Sequence, residues 1–114
     1  MGQELRSIVL THNEFVRAAA LYYDALPRSR PESQVLGSNI AAIEIPDGED
    51  PTGQVLLEDP MVDGRTRVTI GKAEMIDMMV AFCRDRAIPL PKTGRKTIVR
   101  RDGKVILEIE LDWF

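Results

Sequence analysis

The residues of this sequence that could do chemistry are few, and the densest group of them is cationic. Lys92, Arg95, Lys96, Arg100, Arg101 and Lys104 fall within thirteen positions. On a two-stranded β-ribbon they could enter a nucleic-acid groove, each neutralised phosphate adding salt-dependent affinity through counterion release. The same charges have a structural use. Glu108 and Glu110 follow on the next strand, opposite residues such as Arg95 or Lys96 according to whether the intervening turn has two or three residues. Cross-strand ion pairs of this kind stabilise a sheet by roughly 0.2–1 kcal/mol. A basic edge strand also blocks edge-to-edge aggregation. No aromatic residue interleaves with the basic ones to stack on bases. Nucleic-acid binding by Lys92, Arg95, Lys96, Arg100, Arg101 and Lys104 therefore stands as the alternative to ion pairing within the hairpin.

No catalytic set can be assembled. His12, the single histidine, could serve as a general base, but no nucleophile or orienting partner accompanies it. Cys83 is the only cysteine, which excludes an intrachain disulfide and any thiolate metal cluster. It lies on an apolar helix stripe, where a thiol is inert. Asp47, Glu49 and Asp50 lack the alternating spacing of a calcium loop. Glycine-rich phosphate loops, nucleophile elbows, zinc-protease helices and dinucleotide fingerprints are missing. The expectation is a protein without catalytic residues, metal or cofactor, and not an enzyme.

What remains is binding. Met75 and Met78 carry adaptable thioethers suited to a partner surface, although a methionine stripe serves equally as core. Tyr22 and Tyr23 are adjacent on a helix and cannot point the same way, which leaves a hydroxyl for a partner. Trp113 continues an inward row, and Phe114 is placed to cover an edge or a second subunit.

Elements that position these residues can be read from local signals. Thr11 and Glu14 have the spacing of a capping box, so a helix starts there and presents Phe15, Ala19, Tyr22 and Leu26, with Val16, Ala20 and Tyr23 widening the stripe, until Pro27 stops it. Gln34–Leu36 and Asn39–Ile45 read as a hairpin about Gly37-Ser38. Residues 46–54 form an acidic linker without periodicity. Val55–Leu57 and Arg65–Ile70 alternate as strands. A second helix begins after Gly71, carries Met75, Met78, Met79, Phe82 and Cys83, and ends before Ile88-Pro89-Leu90-Pro91. Lys96–Arg101 and Lys104–Trp113 flank Asp102-Gly103, the turn pair with the strongest hairpin signal.

Residues 5–46 and 65–113 thus share the order strand, helix, strand, strand. Thr11 matches Gly71, Glu14 matches Glu74, Phe15 matches Met75 and Tyr22 matches Phe82 in the helices. Gly37 matches Gly103 and Ile43 matches Ile109 in the hairpins. A tandem βαββ duplication explains this, and so does shared element order alone. The expected fold is α+β, a mostly antiparallel sheet with two helices packed on one face, in a single domain of 114 residues.

Charge divides unevenly. Residues 1–60 hold 4 basic and 10 acidic groups, and residues 61–114 hold 11 basic and 8 acidic. Such halves suit different partners or complementary subunit surfaces, although solvated faces can differ in this way without function. No apolar run approaches the roughly 20 residues that cross a bilayer, and no secretory signal precedes Ile8–Leu10. These features lead to the expectation of a soluble cytoplasmic domain that binds a macromolecule, another protein or itself, and not a membrane.

Overall fold

The computed structural model describes residues 2–25, 40–58, 65–91 and 93–113. In chain order the elements are β1 (Gly2–Thr11), α1 (His12–Ala25), β2 (Ile40–Glu44), β3 (Gly48–Glu49), β4 (Gly53–Glu58), β5 (Arg65–Ile70), α2 (Lys72–Asp85), β6 (Arg95–Arg101) and β7 (Lys104–Trp113). The fold is α+β and every described strand pair is antiparallel. The strands form two sheets rather than one, in the orders β1-β7-β6-β3 and β2-β4-β5.

Local chemistry sets the element boundaries. The Thr11 amide donates to the Glu14 carboxylate at 3.0 Å, and the Glu14 amide donates to Thr11 Oγ1 at 3.1 Å, closing the capping box at the start of α1. Asp102 and Gly103 have φ of 53° and 75°. Positive φ at both positions is the two-residue turn whose twist matches the strands, and it fixes the β6–β7 register with Ile98 opposite Leu107.

Each hairpin takes its third strand from the other half of the chain. β7 pairs with β1 along Gly2–Thr11, while β4 pairs with β5. The ladders make Leu10 equivalent to Ile70, Ile43 to Ile98 and Val55 to Leu107, and all six side chains are buried in one core. In these ladders Ile43 lies opposite Val55, and Ile109 lies opposite Arg6 and Lys96. The expected strand at Gln34–Leu36, with Gly37, lies outside the described residues. β2 instead pairs with β4, with a register shift between Ile40 and Ala42.

The acidic stretch is more than a linker. Gly48 and Glu49 pair with Arg100 and Val99 as the last strand of the larger sheet. Asp50, at φ 46°, then bonds the Ile98 amide at 3.0 Å and the Lys72 ammonium at 3.2 Å. A carboxylate that accepts from a backbone amide and a lysine ties this loop to both β6 and the start of α2.

The helices pack against each other. The Tyr23 hydroxyl, near the end of α1, reaches the Glu74 carboxylate in the first turn of α2 at 3.3 Å. Phe15, Ala18, Ala19 and Tyr23 of α1 are buried, as are Met75, Met78, Met79, Phe82 and Cys83 of α2. Ala18, three residues after Phe15, joins the buried stripe although the sequence pattern did not include it. Its small side chain suits the close approach of two packed elements.

Candidate functional site

The basic residues of the second hairpin do not form a common surface. Lys96 and Arg100 lie opposite Ile109 and Val105, on the core-facing side with Ile98 between them. Arg95, Thr97, Val99 and Arg101 lie on the other side. There Arg95 donates to Glu110 at 3.0 Å, the pairing that a two-residue turn dictates. Val99 is itself buried. Of the expected nucleic-acid residues, only Arg101 and Lys104 stand exposed and directly opposite each other, at the tip. Lys92 lies outside the described residues.

The expected partner face on the helices is corrected by burial. Met75 and Met78 are both 0% exposed and belong to the core, so their thioethers fill space between the helices and sheets. Tyr23 is buried as well. Tyr22 is half-buried and meets the Tyr23 ring edge-on at 5.5 Å. Phe114 lies outside the described residues.

His12 is half-buried at the start of α1. Burial, with the nearby Arg100 guanidinium as the second cause, lowers its pKa from the ordinary 6.5 against the pull of the Ile43 backbone. Among the described residues, His12 Nδ1 and Arg100 Nη1 are buried without a hydrogen-bond partner. Cys83 is fully buried, and that burial pushes its thiol up, away from the reactive thiolate. Among the described residues no three His, Cys, Asp or Glu side chains come together in a group able to hold a metal ion.

The most open feature is β1, which the sequence reading did not single out by residue. It is bonded to β7 over ten residues, and among the described residues no strand occupies its other side. Leu5 and Val9, on the face away from the core, are 57% and 52% exposed. On the core-facing side Arg6 donates to Glu4 at 2.7 Å. A long strand with no neighbour on one side among the described residues is a template for another strand, and this one carries no proline or lysine, its charges being the Glu4–Arg6 pair. The available signal was the run Leu5-Arg6-Ser7-Ile8-Val9, whose alternation is weak because both of its faces carry apolar residues.

No protein-family model matches this chain, and neither a curated protein nor a solved structure matches it. Among the described residues no helix is long and apolar enough to cross a membrane.

Proposed function

We propose that this protein acts by binding rather than catalysis, and that its first partner is a second copy of the same chain, joined through the side of β1 away from β7. The observation that carries this is the ten-residue edge strand with two half-exposed apolar side chains on one face. Its charges also discriminate between registers. Two antiparallel copies paired about Glu4 or about Arg6 would set like charges directly opposite each other. Paired about Leu5, each Glu4 meets the second copy's Arg6, and Leu5 meets Leu5. Combined with the ion pair already present along each strand, this gives a ring of four alternating charges. The matched burial of the two halves supports reading them as a tandem duplication, and the single cysteine supports a reducing, cytoplasmic setting.

Sedimentation across a wide concentration range tests the proposal. A mass that rises from one chain to two supports it, and a single-chain mass throughout refutes it. Nucleic-acid binding is the second reading, favoured by Arg101 and Lys104 at the hairpin tip. Retention of labelled DNA or RNA at low salt that is lost on Arg101→Ala with Lys104→Ala would put it first.

A further inference from the structure

A cavity of about 450 Å³ opens beside the C-terminal end of α2, lined by Val80, Arg84, Ile88, Leu90, Pro91 and Lys96. Its volume is in the range of small-molecule sites. Val80 and Arg84 are one helical turn apart and share a face, and Lys96 enters from the core-facing side of β6. Among the described residues the lining is apolar with two cations and no acid. The ion pairs formed among the described residues join Arg6 to Glu4, Arg67 to Glu44, Lys72 to Asp50 and Arg95 to Glu110, so neither Arg84 nor Lys96 is neutralised. Asp85, the nearest acid in sequence to Arg84, lines a different cavity with Leu21 and Tyr22.

The wall of this cavity is held by a strained turn. After α2 the Ala87 amide donates to the Arg84 carbonyl and the Ile88 amide to the Cys83 carbonyl, with Ala87 at φ 55°. This is the left-handed helix end that glycine ordinarily supplies. It turns Ile88 to Pro91 back along the helix and leaves Ile88 37% exposed. Non-glycine residues held in left-handed conformations concentrate at ligand sites.

We infer that this cavity binds a small amphipathic carboxylate, an aliphatic or aromatic acid whose tail rests on Val80, Leu90 and Pro91 and whose head lies between Arg84 and Lys96. Charge-assisted hydrogen bonds from a guanidinium and an ammonium fix the head, and Pro91 stiffens the apolar wall. The site is independent of the β1 edge.

Decanoate below its micelle concentration, competed against the fluorescent anion 8-anilinonaphthalene-1-sulfonate, provides the test, with decanol and decyltrimethylammonium as parallel arms. Saturable displacement by decanoate alone is the expected result. Arg84→Gln, an exposed change that leaves packing intact, should weaken decanoate by about tenfold through loss of a charge-assisted bond, and Lys96→Gln should weaken it further. Shifts of the Val80 and Leu90 methyl signals on titration would locate the ligand. Equal displacement by decanol, undiminished binding in Arg84→Gln, or no saturable binding at all would overturn the assignment.

Discussion

Reversing one charge tests the self-pairing of β1 most directly. In the register centred on Leu5, Glu4 faces the second copy's Arg6 twice, once across each side of the twofold axis. Glu4→Arg converts both contacts from attraction to repulsion. An opposite-charge pair across a ladder is worth roughly 0.2–1 kcal/mol, and a like-charge pair costs a similar amount. The two swings together come to about 1–4 kcal/mol, a rise in Kd of roughly 5- to 700-fold. The starting affinity is modest. Burying the exposed half of each Leu5 contributes about 1 kcal/mol, and each ladder hydrogen bond about the same. Association itself costs at least about 4 kcal/mol, which leaves a dimer of micromolar strength or weaker. Analytical ultracentrifugation of wild type, Glu4→Arg, Arg6→Glu and the double variant is the assay. Each single change should dissociate the dimer and the double change should restore it, because the ring of charges is rebuilt with signs exchanged. The existing Glu4–Arg6 contact along each strand is also lost in the single variants, and melting curves report whether the monomer itself suffers. Rescue that fails in the double variant while all four proteins melt alike would refute the register.

Three other outcomes follow from the packing. Gly94 has φ of 122°, and a Cβ there would lie 2.8 Å from the Glu110 carbonyl oxygen, so Gly94→Ala should lose at least about 2 kcal/mol in urea unfolding; a loss below about half of that would contradict the geometry. His12 binds protons less readily folded than unfolded, so its contribution to stability is complete above its ordinary pKa of 6.5 and is lost as pH falls through the lower folded value. Melting temperature should accordingly decline on acidification below about pH 6.5, and the decline should flatten in His12→Gln; identical pH profiles would exclude His12 as its source. The Cys83 thiol should resist labelling in native protein and react at full rate in denaturant, whereas rapid native labelling would mean that the core around Met79 and Phe82 opens readily.

Features that depend on a few adjacent residues were legible in the sequence. The capping box at Thr11 and Glu14, the turn at Asp102-Gly103, the inward row Val105, Leu107 and Ile109 and the burial of Cys83 all follow from local pattern. Features that depend on distant pairing were not. Nothing near Gly48 and Glu49 advertises a strand, because two backbone pairs to β6 suffice to make one. Lys96 and Arg100 looked like members of a solvated ribbon until the register set them beside core residues. Tyr22 and Tyr23 alternate by a hundred degrees on a helix, and only the position of α2 decides which is covered. Ile88-Pro89-Leu90-Pro91 read as a helix stop, and its second role as a cavity wall emerges only once Lys96 arrives from β6.

The strand exchange between the two halves bears on how the molecule forms. β1 cannot complete its sheet until β7 exists, roughly a hundred residues later in synthesis, so the nascent chain carries an unsatisfied strand for most of its time on the ribosome. The ladder of greatest sequence separation is also the longest one described, and closing so large a loop before any reward makes for slow, late consolidation. A strand left waiting that long is also one that a neighbouring polypeptide could capture, so the yield of correctly closed monomer should fall as refolding concentration rises.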